Sequence, residues 1–158
     1  MLYKKILVPF DHSEQAQHAL KHALALIADD PSAEVVVFRS IAGAKDVDAL
    51  VGRGKEGTTY VDEDTRVRFK KMRDKQKGQA MEDLKDDANP FVKDAKNPVT
   101  YVAEFYPTAV QGTLETLENT GADCIVMGCR GMNAVAGMLG SVSYGVVRSA
   151  SVPVVTVK

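Results

Sequence analysis

Two stretches of this chain carry residues that could line a ligand site, the longer of them for a phosphate. The longer begins in an apolar run that ends at Gly128, with Gly131 close behind. A Gly140-Ser141 pair then opens a helix-like segment. Glycines let backbone N–H groups approach an anion closely, and the unpaired amides of a helix start point at it. The Ser141 hydroxyl can donate to a phosphate oxygen, and the amides that follow are helix starters without partners. Arg130, between the paired glycines, either turns inward as a charge-assisted donor or stays in solvent. The shorter stretch is Pro9-Phe10-Asp11, after the first apolar run. Asp11 can cap a helix or contact a ligand, and the two roles are compatible.

Other reactive residues point less clearly to chemistry. His18 and His22 lie one helical turn apart, a metal-compatible spacing, but no third ligand accompanies them. Cys124 falls within a buried-type strand and Cys129 in the loop after it. A disulfide is not expected between them in a reducing compartment. Cys129 would be oxidisable if exposed near a helix dipole, and inert otherwise. The run from Arg66 to Lys77 is locally basic, with Phe69 its only aromatic. It reads as a phosphate-attracting face or as a solvated helix face balanced by Glu82-Asp83 and Asp86-Asp87. There is no nucleophile elbow, no acid–base pair at a telling spacing and no Walker lysine after the glycines. No residue is committed to orienting an attacking water, so these residues read as a binding site rather than a phosphoryl-transfer centre.

The bulk numbers narrow the class. With 158 residues, 45% of them hydrophobic, the chain fits one domain, 1–158, with a real core. A net charge of −1 offers no global field for nucleic acid or an anionic membrane. No apolar run approaches the ~20 residues of a membrane span. The opening MLYKKILVPFD lacks the length and cleavage site of a signal peptide, so the expected location is the cytoplasm.

Positioning these residues requires alternating elements. Lys5–Pro9 and Glu34–Phe38 are apolar runs without polar alternation, the pattern of strands covered on both faces. Between them Ala16, Ala19, Leu20, Ala23, Leu24 and Ile27 recur at helical spacing, up to Asp30-Pro31. A long irregular connection is expected over about 42–64. A charged helix follows over 66–88, anchored by Val67, Met72, Met81 and Leu84, with Asn89-Pro90 and Asn97-Pro98 at its exit. The third strand spans 99–103. Thr108 starts a helix with Ala109, Val110, Leu114 and Leu117 on one face, and Gly121 caps it. The fourth strand spans 123–127. Ser141 is the expected cap of a last helix bearing Val142, Val146, Val147 and Ala150, before a final strand at 152–157. Strands alternating with helices argue for a three-layer, doubly wound parallel sheet. In the order 3-2-1-4-5 the first and fourth strands are neighbours, and both glycine-bearing and Asp11-bearing loops line one crevice.

These same residues resemble a known family. KKILVPFDHSEQAQHALKHAL is similar to the opening of universal stress proteins, and ADCIVMGCRGM with GSVSYGVVRSASVPVVTVK to their ending. The nucleotide-binding branch carries G-x2-G-x9-G-[ST]. Gly128, Gly131, Gly140 and Ser141 match it, but Met132–Leu139 supply eight intervening residues rather than nine. The family often has Gly where this chain has His12. The resemblance implies a Rossmann-like, adenine nucleotide alpha hydrolase-like fold. It implies ATP as ligand, with Mg or Mn held mainly by the phosphates. Asp11 would meet the nucleoside end, and Pro9 and Phe10 the adjacent wall. Ser40, Ile41 and Met127 would contact adenine. Gly128, Arg130, Gly131, Gly140, Ser141, Val142 and Ser143 would surround ribose and phosphates. It further implies a nucleotide-dependent stress regulator, homodimeric through Val152–Val157. The branch without the glycine motif supplies one alternative, a non-nucleotide dimeric scaffold or adaptor; the other is a weak ATPase, with at most slow ATP hydrolysis.

Overall fold

The computed structural model describes residues 2–45, 62–130 and 139–158. Along them run β1 (Lys5–Pro9), α1 (Glu14–Leu26), β2 (Glu34–Ala42), α2 (Glu63–Val92), β3 (Val99–Tyr106), α3 (Ala109–Thr120), β4 (Cys124–Gly128), α4 (Ser141–Ser149) and β5 (Val154–Val157). The strands form one parallel sheet in the order β3-β2-β1-β4-β5, as the alternating pattern predicts. The pleat sends alternate side chains to opposite faces. Ile6, Val8, Val35, Val37 and Val126 therefore meet Ala19, Leu20 and Ala23 of α1 and Leu84 and Ala88 of α2. Leu7, Val36, Phe38, Ile125 and Met127 meet Leu117 of α3 and Val146 of α4 on the other face.

Several boundaries differ from the sequence expectation, each for a local reason. β2 and β3 run on to Ala42 and Tyr106, because they stay paired from Val35–Val99 through Ala42–Tyr106. Ladder pairing carries Arg39, Ser40 and Glu104 into strands that hydrophobicity alone would end. α1 stops at Leu26 rather than Asp30, with the Ile27 N–H bonding back to the Leu24 and Ala25 carbonyls. α2 passes through Pro90 and closes on an Asn89 carbonyl that accepts from Lys93 N at 3.1 Å. Pro90 has no N–H to return to the preceding turn, so the helix goes without one ladder bond there, two residues before its end at Val92. The expected connection at 42–64 shrinks at both ends, and its centre, 46–61, lies outside the described residues. Val67 and Met72 are exposed rather than anchoring, as is Val147 on α4. Of the expected α3 face, Leu117 is buried and Val110 packs against the core, and Gly112, Thr113 and Thr116 complete the buried side. Gly121 does end α3, at φ 64°, a left-handed backbone that favours glycine. β5 starts at Val154, because the pairing with β4 begins there.

The pole of the sheet away from the strand C-termini is fastened by two polar clusters. Asn97 is buried, and its Nδ2 donates toward the carbonyls of Ile27 (3.2 Å), Asp30 (2.8 Å) and Ala33 (3.0 Å). What reads as a turn signal is thus a clasp joining the end of α1 to the start of β2. Asn97→Ala should destabilise the fold by about 1–3 kcal/mol, because it removes the donor to the buried Ala33 carbonyl and the second donor to those of Ile27 and Asp30. Urea denaturation followed by circular dichroism measures this, and an unchanged midpoint would contradict it.

Beside the clasp, the Lys4 ammonium holds the Asp30 carboxyl well below the usual range at 2.6 Å, helped by the Ser32 hydroxyl and amide. The Thr100 hydroxyl lowers Glu34 against its partial burial, with Lys5 assisting. Carboxyls depressed in the fold stabilise it above their unfolded values and lose that contribution as pH falls through the folded ones. Stability should therefore hold near neutrality and decline below about pH 4. Asp30→Asn should flatten the decline in denaturation midpoints between neutral and acid buffers.

Candidate functional site

The first wall of the site is built where β1 ends. Phe10 N donates to the Phe38 carbonyl at 2.8 Å, holding the chain against β2 before it turns. Asp11 Oδ1 then accepts from Ser13 N (3.1 Å) and Ser13 Oγ (2.5 Å), and Ser13 Oγ accepts from Ala16 N (3.2 Å). Ser13, not Asp11, is therefore the N-cap of α1. The relay fixes Asp11 while leaving its Oδ2 without a partner among the described residues. His12 sits between them at φ 67°. That left-handed backbone is costly for most side chains. It gives a physical reason for a glycine at this position in the family pattern.

The opposite wall rises from β4. Gly128 packs under the first turn of α1: a Cβ there would lie 2.8 Å from Gln15 Cβ and 3.1 Å from Ala16 N. Packing, rather than phosphate approach alone, requires this glycine. Cys129 N donates to the Val157 carbonyl at 2.7 Å, and Gly140 N donates to the Cys129 carbonyl at 2.8 Å. This second bond ties the two ends of the loop together at its neck. Gly140 is thus positioned by the neck, whatever the number of residues between. Gly131 and Gly137 lie outside the described residues. Cys129 is itself buried, which removes the exposure that oxidation would need.

The α4 N-terminus differs from the others. Ser13, Asp62 and Thr108 each cap their helices through a side chain, whereas Gly140 caps α4 with none. Ser141 is the first helical residue rather than the cap. The first backbone bond into α4 is Tyr144 N to the Gly140 carbonyl at 2.8 Å. The amides of Ser141, Val142 and Ser143 consequently have no partner among the described residues. Together with the helix dipole they form a seat for negative charge. The Ser143 hydroxyl is not part of it, since it donates to the Gly128 carbonyl at 2.8 Å. That of Ser141 is uncommitted.

These walls enclose a cavity of about 690 Å³ at the C-terminal ends of the central strands. Pro9, Phe10 and Asp11 line it from β1. Ser40 lines it from β2. Met127 and Gly128 come from β4, Arg130 from the segment after it, Gly140 from the cap of α4, and Ser141, Val142 and Ser143 from its first turn. Ile41 does not reach it. The sequence reasoning overlooked Arg39, also in the lining. Its side chain is nearly buried, and its Nη2 lies 3.3 Å from Asp87 Oδ2 on α2. The same carboxylate oxygen pairs with His12 Nδ1. A cation inside an otherwise apolar strand, EVVVFRSIA, was the available signal. His18 and His22 lie on an exposed stretch of α1. Among the described residues no three His, Cys, Asp or Glu come together as a metal site.

A doubly wound parallel sheet with its crevice between β1 and β4 defines the class, the adenine nucleotide alpha hydrolase-like fold. The model of the universal stress protein family matches residues 2–158. A curated relative, universal stress protein MJ0531 of Methanocaldococcus jannaschii, is 30% identical over 164 residues, covering 99% of this chain and 83% of its own. The solved structure of hypothetical protein MJ0577 superposes with a TM-score of 0.68 at 26% identity, covering 100% of this chain and 97% of that one. An Archaeoglobus fulgidus universal stress protein, solved in complex with dAMP, superposes with a TM-score of 0.55 at 19% identity, each chain covered completely at 100%. The chain belongs to the universal stress protein family.

The packing at Gly128 yields a direct test. Gly128→Ala should cost about 1–3 kcal/mol, because the new methyl meets α1 backbone rather than a flexible side-chain tip. Equal urea midpoints for the variant and the parent would refute this close approach.

Proposed function

We propose that this protein binds an adenine nucleotide, ATP in particular, in the cleft between β1 and β4 and acts as a nucleotide-dependent stress regulator. The observation that carries the reading is the uncapped start of α4. Three open amides and the free Ser141 hydroxyl face a nucleotide-sized cavity, and Asp11 waits at its other wall with Oδ2 unpartnered. In this arrangement the phosphates sit on Ser141–Ser143 amides, with Arg130 beside them. Asp11 accepts from a ribose hydroxyl, and Met127 and Ser40 contact the base. A Mg or Mn ion accompanying ATP would draw its oxygens from the phosphates, since the cleft's one aspartate is directed to the nucleoside end. The dAMP of the A. fulgidus relative supports an adenine nucleotide as the ligand class.

The same reading includes a homodimer in the cytoplasm. β5 pairs with β4 on one side only, and its valines 154, 155 and 157 are half-buried in the single chain. Tyr144 and Val147 stand exposed on neighbouring α4 at 59% and 48%. An open apolar edge of this kind calls for a cover, and a second copy of β5 supplies one. Among the described residues no helix is long and apolar enough to cross a membrane.

Isothermal titration with ATP, ADP and AMP tests the ligand. Saturable heats and a raised melting temperature are expected. Ser141→Ala should weaken ATP by about two- to tenfold and Asp11→Ala by about tenfold or more. Absence of both heat and melting shift at millimolar ATP would sink the proposal.

A further inference from the structure

A second cavity, of about 450 Å³, lies between the N-terminal half of α2 and the ends of β2 and β3. We propose that it binds a small anion carrying two or more phosphates, of the pyrophosphate or tripolyphosphate class. The claim is independent of the nucleotide cleft.

The patterning of α2 is what demands an explanation. Leu84 and Ala88 mark its sheet-facing side, fully buried. Stepping back by helical intervals, the same side carries Lys77, Arg73, Lys70 and Arg66, all lining the cavity. A core-facing side is ordinarily apolar. Phe69 and Met72 are exposed instead, at 44% and 49%, and Val67 is the one aliphatic residue of α2 in the lining. The side of α2 that faces the cavity is therefore mostly cationic, with Arg73 buried, the reverse of what burial alone favours.

The cations are partly preset for a ligand. The Arg73 guanidinium stacks on the Phe105 ring at 4.0 Å from its centroid, and the residue is only 8% exposed. Its Nη2 donates to the Lys45 carbonyl at 3.2 Å. Among the described residues Nε and Nη1 have no partner, so a buried fork keeps open donors. Lys70 has no ion pair among the described residues. Lys77 pairs with Glu104, Lys45 with Glu115, and Arg66 lies 3.7 Å from Glu63. The lining holds Lys45, Arg66, Lys70, Arg73 and Lys77 against Glu63, Asp74 and Glu104. With Lys45 tied to Glu115 and Lys77 to Glu104, Lys70 and Arg73 are the cations that keep open donors, and two such groups on one concave wall suit an anion with more than one phosphate. The volume falls within the ordinary range of small-ligand cavities.

The test is titration of inorganic tripolyphosphate, at about 0.1 M salt, into isotopically labelled protein, read by amide chemical shifts. Saturable shifts at Lys70, Arg73 and Phe105 are expected, weakening as salt rises. Lys70→Gln, a change on an exposed stem, should weaken binding at least about fivefold while leaving AMP binding intact. Asp74→Asn should tighten it about twofold by removing an opposing charge, a gain that a merely structural role would not produce. Parallel titrations with AMP and ATP separate the sources. ATP shifts at Lys70 and Arg73 that AMP lacks would mark a nucleotide's phosphate tail as an acceptable ligand. Shifts confined to Gly128 and Ser141, an unchanged affinity in Lys70→Gln, or no shifts at millimolar tripolyphosphate would each overturn the proposal.

Discussion

β1 pairs with β2 on one side and β4 on the other, and the chain leaves β1 and β4 toward opposite faces of the sheet. α1 covers one face and α4 the other, so the two exits must part. A crevice opens at that divergence, beyond the strand C-termini. Every feature of the cleft depends on it: Asp11 stands on one lip and the start of α4 on the other. The close approach of α1 to Gly128 then sets how wide the lips stand, because no side chain fits between them.

Hydrogen bonds at the lips turn this geometry into a binding surface. On the β1 side, the Asp11–Ser13–Ala16 relay uses one carboxylate oxygen and leaves the other without a partner among the described residues. On the β4 side, the Cys129–Gly140 bond closes the loop at its neck, and Ser143 ties α4 to Gly128. What remains open after these ties is the set of amides at the α4 start. The cleft and the cationic cavity by α2 both lie at the C-terminal pole of the sheet. The salt-linked Asp87 carboxylate, shared by His12 and Arg39, joins α2 to the cleft wall.

The regular elements were legible because period-two and helical spacings are written in side-chain polarity. Fully apolar runs such as ILV and VVVF announced strands covered on both faces, and the parallel order followed from the alternation. Asp11 announced a helix start, but that Ser13 two residues on makes the cap could be read only from the hydrogen bonds. The strand extensions past Phe38 and Ala103 were not legible. They rest on pairing between two chains of residues, and Arg39 or Glu104 alone gives no sign of a partner strand. Pro90 misled for the opposite reason: its local penalty is real, yet the helix runs two residues past it to Val92.

The sequence by itself determined the layers, the glycine positions and the family, because these depend on local polarity and on which residue types can take a given backbone. Only the tertiary structure decided which groups are free. Whether Ser141 or Ser143 keeps its hydroxyl, whether Cys129 is exposed, and whether Arg73 faces a cavity or water all depend on residues distant along the chain. Such hydrogen bonds and burial are satisfied across the fold. They can be read only once β1 and β4 lie side by side.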